Sequence, residues 1–290
     1  MRIGVVFPQT EIGNDPQGIR DFAVAAEDLG YTHLIAYDHV LGANPASRPG
    51  WSGAYSYKNP FHEPLILFGY LAAVTRRIEF MSGVLILAQR QTALVAKQCA
   101  AVDVLSKGRL RLGIGIGWNA VEFEALGENF HTRGARYEEQ IQVLRELWTK
   151  ELVTFKGKWH TITDAGINPL PVQRPIPLWL GGRVEKAIRR AARVGDGWFA
   201  VSRAGDDRAA LVKLFHDEVK AAGRDPKAVG VEVSVRLRDT KVDQLPKVVE
   251  QWAAQGGTHI SVQTMDAGFK TPKEHIEAIT RARKALGAIK

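Results

Sequence analysis

The chain has 290 residues, 45% hydrophobic and 24% charged, the balance of an ordinary folded globular chain with room for one large α/β domain over 1–290. No stretch of about 18 apolar residues exists to span a membrane, and strand-like Arg2-Ile3-Gly4-Val5-Val6-Phe7 leaves no room for a signal peptide, so a cytoplasmic protein is expected. The formal charge of +8 comes from 39 Lys and Arg against 31 Asp and Glu, but no basic cluster interleaves with aromatics, which argues against nucleic acid as a partner. The densest basic run, Lys186, Arg189, Arg190 and Arg193, reads as the solvated face of one helix. The single cysteine, Cys99, excludes an internal disulfide and sits at helical spacing among Val95, Val102 and Leu105, as buried packing does.

In chain order, the first strand, Arg2 to Phe7, is closed by Pro8. Asp15 and Pro16 open a helix whose Ile19, Phe22, Ala23, Ala26 and Leu29 share a face, and Gly30 ends it. A second strand, Thr32 to Ala36, runs into Tyr37-Asp38-His39-Val40 and a long loop to Pro60. Loops of this length in a compact domain usually serve function, and Trp51, Tyr55, Tyr57 and Phe61 favour a lid or wall. A helix at Leu65 to Val74, a strand at Ile78 to Leu87 and a helix at Thr92 to Leu105 come next.

The fourth strand is the most informative stretch. In Leu110-Arg111-Leu112-Gly113-Ile114-Gly115-Ile116-Gly117, bulky residues alternate with small ones, so something bulky must press on the glycine face. A dinucleotide fingerprint would need glycine where Trp118 stands, so that reading fails. A helix from roughly Arg136 to Lys150 is followed by a hairpin, Val153-Thr154-Phe155 and Trp159 to Ile162 around Lys156-Gly157-Lys158. Pro169, Pro171, Pro175 and Pro177 then make an extended strap. Four more strand and helix pairs complete the chain, with strands at Leu178 to Gly182, Gly197 to Val201, Val229 to Val235 and His259 to Gln263. Eight βα units in a chain of this length predict a closed (β/α)8 TIM barrel with insertions after strands 2 and 4, in preference to an open doubly wound sheet.

Such a barrel carries its site at the C-terminal ends of its strands. The residues there are Gln9 and Thr10, Asp38 and His39, Trp118 and Asn119, Gly181, Gly182 and Arg183, and Ser202 and Arg203. Bare glycine amides before a helix suit a phosphate, with a hydroxyl from Ser202 and a cation from Arg203; a tight strand-to-helix turn is the bland alternative. His39 stands where an acid or base would act, a role histidine as a residue type suits, and a histidine bonded to a loop carbonyl is the competing reading. Gly13 to Gly18 lacks the Lys-Ser/Thr of a P-loop, no Gly-x-Ser-x-Gly occurs, and His62-Glu63 meets Pro64, so no metal site is visible.

Four segments together resemble the luciferase-like monooxygenase superfamily, especially its F420-dependent oxidoreductase branch. They are Asp38-His39, Gly83-Val84-Leu85, the glycine-rich strand with Trp118 to Gly127, and Pro175 to Trp198, which contains Pro-Ile-Pro-Leu-Trp-Leu-Gly-Gly. The resemblance spans nearly the whole chain. It implies a barrel that holds coenzyme F420, or alternatively FMN, with phosphate at Gly181, Gly182 and the Ser202 loop. It also implies a non-prolyl cis bulge at Gly83-Val84 behind the cofactor ring and an active-site role for His39. Trp118 and Asn119 would line the cofactor, and Asp38 would join His39 in catalysis. The sugar-phosphate dehydrogenases of the family carry glutamate where this chain has Trp118, which argues against glucose 6-phosphate oxidation. The expected activity is hydride transfer between the coenzyme, whose anionic tail suits the +8 charge, and a small organic substrate. An FMN-dependent monooxygenase and a non-catalytic flavin- or phosphate-binding barrel are the alternatives. The expected partners are a small-molecule substrate and further copies of the chain, as a homodimer or higher oligomer, with no nucleic acid and no membrane.

Overall fold

In the computed structural model, residues 1–201 and 206–287 are described. Among these, eight parallel strands alternate with eight long helices. They are β1 (Arg2–Val6), α1 (Pro16–Asp28), β2 (His33–Ala36), α2 (Pro64–Val74), β3 (Glu79–Ser82), α3 (Thr92–Ser106), β4 (Leu110–Gly115) and α4 (Arg133–Thr149). The second half continues as β5 (Leu178–Gly181), α5 (Glu185–Val194), β6 (Gly197–Phe199), α6 (Arg208–Ala221), β7 (Gly230–Arg236), α7 (Leu245–Ala254), β8 (His259–Gln263) and α8 (Pro272–Leu286). Hydrogen bonding runs β3-β2-β1-β8-β7-β6-β5-β4, and the pairing of Phe80 with Leu110 and Met81 with Arg111 closes the ring. The (β/α)8 barrel read from the sequence is therefore present.

Local chemistry explains the element boundaries. Asp15, Glu63, Asp207 and Thr271 each accept backbone amides at the starts of α1, α2, α6 and α8, satisfying donors a helix leaves orphaned. The predicted third strand is interrupted. Its ladder stops at Ser82, passes a cis peptide bond between Gly83 and Val84, and resumes at Leu85–Ile86 against Ile114 and Gly115 of β4. Both insertions appear: residues 37–63 after β2, and after β4 a stretch with a short helix, Ala120–Ala125. The predicted hairpin pairs Phe155 with Ile162. It is pinned to α4 by Glu139, which accepts the amides of Lys158, Trp159 and His160.

Alternation divides each strand between two cores. Outward residues such as Val5, Leu34, Phe80, Leu112 and Val231 meet the helices in the main apolar layer, along with fully buried Trp148, Trp252 and Cys99. Each large side chain there contributes about 1.5–3 kcal/mol of burial. Inward residues form an apolar waist of Val6, Ile35, Met81, Trp179 and Phe199. Trp179 fits because Gly197 and Gly230 lack side chains; a Cβ on either would stand 2.4 or 2.1 Å from its ring. Below the waist, toward the N-terminal ends, the interior turns polar, with His33, Arg111, Glu232, His259 and Ser261 all buried.

On α5, Lys186, Arg189 and Arg193 are exposed, as expected of a solvated face, and Arg189 pairs there with Glu185 at 2.7 Å and with Glu218. Arg190 alone departs from it: it pairs with Glu138 at 2.7 Å and is buried against the Tyr137 ring.

Candidate active site

The upper mouth of the barrel gathers most of the residues singled out from the sequence. His39 lies just beyond β2 and is enclosed by aromatic rings, with centroid distances of 4.7 Å to Tyr55, 4.8 Å to Phe61 and 5.9 Å to Trp118. Trp51 lies 5.9 Å from Trp118. The long loop after β2 is thus the aromatic wall its composition predicted. Gly53 passes so close that a Cβ would stand 2.4 Å from Trp51 and 2.8 Å from Trp118.

The partner of His39 was not singled out in the sequence. Its Nδ1 lies 3.2 Å from Oε1 of Glu122, a carboxylate only 1% exposed, which also accepts the amides of Val40 at 2.9 Å and Leu41 at 3.4 Å. With Nδ1–H donating to this acceptor, the other ring nitrogen, Nε2, keeps its lone pair for a reacting group. Asn119 sets this up. Its Oδ1 accepts Val121 N at 3.2 Å and caps the helix Ala120–Ala125, placing Glu122 beside His39. Asn119 is itself buried and acts as a cap, not as a wall residue. A glutamate three residues after an N-cap ordinarily reads as part of the cap, and this hid Glu122.

Asp38 sits elsewhere. Both of its oxygens are taken: Oδ2 accepts Ile86 N at 2.8 Å and Oδ1 accepts Arg90 Nη2 at 2.7 Å. Arg90 also donates to Glu63 at 2.9 Å. Burial opposes the Arg90 charge, but the Asp38 and Glu63 carboxylates outweigh it and raise the pKa of the guanidinium. Through these bonds Asp38 holds the resumed part of β3 in place.

The glycines of β4 and β5 have a packing reason. A Cβ on Gly113 would stand 1.9 Å from the Ser82 carbonyl oxygen, on Gly115 2.6 Å from Val84 Cγ2, and on Gly181 2.8 Å from Val84 Cγ1. The bulky neighbour foreseen on the glycine side of β4 is therefore the Ser82–Val84 bulge. Val84 lies across the barrel mouth as a shelf between Gly115 and Gly181. Gly182 has φ +141, a conformation other residues rarely adopt, and its carbonyl accepts Trp198 Nε1 at 2.7 Å. The double glycine is thus explained by packing and does not by itself mark a phosphate site.

The start of α5, at Val184, has no side-chain cap among the described residues, as is also true of α3, α4 and α7. Arg183 stands beside it with Nη1 3.6 Å from Asp206 Oδ1. Ser202 and Arg203 lie outside the described residues. The Val84 shelf and the N-terminus of α5 with Arg183 would offer a support for a ring and donors for an anion, which fits a flavin-type group bearing phosphate. Two buried polar atoms near the wall, Trp51 Nε1 and His62 Nε2, have no hydrogen-bond partner among the described residues.

Comparison with known proteins accords with this geometry. The model of the luciferase-like monooxygenase family matches residues 1–288. An uncharacterized protein of Mycobacterium tuberculosis is 36% identical over 181 residues, covering 61% of this chain and 62% of that protein, so the chain spans under two thirds of this relative's length. An F420-dependent glucose-6-phosphate dehydrogenase of Kineococcus radiotolerans is 28% identical over 234 residues, covering 77% of this chain and 64% of that one. An FMNH(2)-dependent dimethylsulfone monooxygenase of Pseudomonas fluorescens is 29% identical over 221 residues, covering 73% and 59%. Among solved structures, an F420-dependent secondary alcohol dehydrogenase superposes with a TM-score of 0.79 at 18% identity, covering 99% of both chains. The chain belongs to the luciferase-like monooxygenase family of flavin- and deazaflavin-using oxidoreductases.

Proposed function

We infer that the protein is an F420-dependent oxidoreductase acting on a small, neutral organic substrate. The observation that carries this reading is the His39–Glu122 pair inside an aromatic enclosure at the mouth that holds the Val84 shelf. When bound, the coenzyme would supply or accept hydride. The residues of the chain do the rest. Val84 would support the ring, and the start of α5, with Arg183, would hold the phosphate. Tyr55 and Phe61 shield the imidazole from water, and His39 Nε2 exchanges a proton with the substrate oxygen while Glu122 fixes the imidazole in the required tautomer. A buried carboxylate on Nδ1 also stabilises the ring when it carries the extra proton. Asp38 is assigned a positioning role through Ile86 and Arg90.

The enclosure bears on the substrate class. Trp118 cannot exchange protons, and the groups packed on His39 are rings, which favour a flat or apolar body over a sugar phosphate. The rival reading, an FMN-dependent monooxygenase, is supported by the likeness to the dimethylsulfone enzyme. Titration of the protein with F420 and with FMN, followed by cofactor fluorescence, separates the two. Tighter quenching of F420 is expected; tighter FMN binding moves the assignment to the monooxygenase, and no saturable quenching by either sinks both.

A further inference from the structure

The opposite end of the barrel opens into a second cavity of about 490 Å3, lined among others by Arg2, Glu79, Arg111, Trp179, Lys227 and His259. It lies at the N-terminal ends of the strands, on the far side of the apolar waist from His39. Arg111 is its unusual member. Only 5% exposed, it has no hydrogen-bond partner on Nε, Nη1 or Nη2 among the described residues. Glu232 Oε2 is 3.3 Å from Nη1 and Glu79 Oε2 is 4.0 Å from Nε, near enough to offset charge but not aligned as hydrogen bonds. Its guanidinium lies 4.4 Å from the Trp179 ring centre, which fixes the plane without supplying an acceptor. A buried guanidinium whose donors go unmet is costly, so this cavity calls for an acceptor-rich occupant.

The surrounding charges indicate its sign. Arg2 and Glu79 pair at 2.6 Å and cancel. Arg109 spends its N–H groups on Ser106, Thr75, Ile78 and Ala72. Asp196 accepts Leu178 N at 2.8 Å and lies 3.7 Å from Arg145. Burial keeps His259 neutral, with its pKa pushed down to about 2. Lys227 adds a second cation at the rim, while Glu232 does not line the cavity. We propose that the lower mouth is a binding site for a phosphate-type oxyanion, held by the planar fork of Arg111 with Lys227 at its entrance. The site is separate from the one that would hold the cofactor. Its volume admits the ion alone or a small phosphate monoester with its body against Trp179.

The test is calorimetric titration of the whole protein with inorganic phosphate and with phenyl phosphate at constant ionic strength. Saturable binding is expected, and Arg111→Lys, which keeps the charge opposite Glu232 but loses the fork, should weaken it about tenfold. Lys227→Ala, on the surface, should weaken it less, and Glu79→Gln should tighten it by removing a repelling carboxylate. Gly182→Ala, at the other mouth, should leave it unchanged. Whichever of the two probes binds tighter identifies the natural form as free ion or ester. Absence of saturable binding in the folded parent overturns the proposal. So does parental affinity in both Arg111→Lys and Lys227→Ala, or a loss confined to Gly182→Ala.

Discussion

The two mouths of this barrel are built from the same alternating strands and have opposite characters. At the upper mouth one histidine and one carboxylate stand among aromatic rings supplied by a long loop. At the lower mouth His33, Glu232, Arg111 and His259 lie buried within the strands themselves, and His33 Nε2 is 2.5 Å from Glu232 Oε1. The lower groups belong to rigid ladder positions and are mutually neutralised, so removing one leaves its partners uncompensated. The upper pair sits on connections and can be changed with little cost to the fold, the usual division between a scaffold and the chemistry grafted onto it.

The largest expected effect falls at the lower mouth. Arg111→Met strands Glu232, a carboxylate whose pKa stays down at about 2, against the penalty of burial, through His33 and Arg111. The cost should be about 3–5 kcal/mol in urea unfolding. Cofactor affinity of the folded fraction should not move; a fall in affinity equal to that of an upper-mouth variant would erase the distinction between the two ends.

Next comes Gly181→Ala, whose Cβ would press on Val84 Cγ1. Overpacking costs about 1–3 kcal/mol, and displacing the shelf should raise the cofactor Kd as well. An unchanged Kd in the folded variant would show that Val84 does not support the cofactor.

The buried histidines of the lower mouth make stability depend on pH. Burial first, and then Arg111, lower the His259 pKa to about 2, and burial lowers that of His33 despite Glu232 beside it. Between those folded values and about 6.5 the unfolded chain binds the extra protons, so stability is full above 6.5 and is lost as pH falls. Each such histidine contributes a slope of up to about 1.4 kcal/mol per pH unit. Glu232, also depressed, adds to the loss below about 4.5, as its unfolded form takes a proton first. Melting temperatures from pH 8 to 4 should therefore fall in the parent, and His259→Gln should flatten the decline. An unchanged decline in His259→Gln would place the acid sensitivity elsewhere.

The smallest effect is that of Asn119→Ala. Losing the cap should cost about 1 kcal/mol, within a usual range of about 0.5–2. Turnover should drop more than melting temperature, because Glu122 rides on the helix that Asn119 starts. Equal turnover in the variant and the parent would show that Glu122 holds His39 without help from the cap.

Much of this was legible in the sequence because it rests on periodicity. All eight strands, the hairpin and the glycine face of β4 are dictated by alternation and turn residues. The break in β3 was legible only through the family resemblance, which implied the cis bulge found at Gly83-Val84, since spacing alone does not register an interruption there. At the site, the position of His39 at a strand end was readable. Glu122 and the engagement of Asp38 by Arg90 were not, because both depend on side chains meeting across 83 and 52 residues of chain. The glycine pair Gly181-Gly182 has a packing role that spacing did not show: it answers to Val84 and Trp198.

The most direct test of the central claim is a paired measurement on His39→Asn and Glu122→Gln, each with turnover on a substrate found by screening and cofactor Kd on the same folded preparation. Losing general acid-base help should lower kcat in His39→Asn by about 10²–10⁴, while Kd stays near the parental value. Glu122→Gln keeps an acceptor for Nδ1 but removes the charge that steadies the protonated ring, so its kcat should fall between those of His39→Asn and the parent. Near-parental kcat in a well-folded His39→Asn protein would contradict the account.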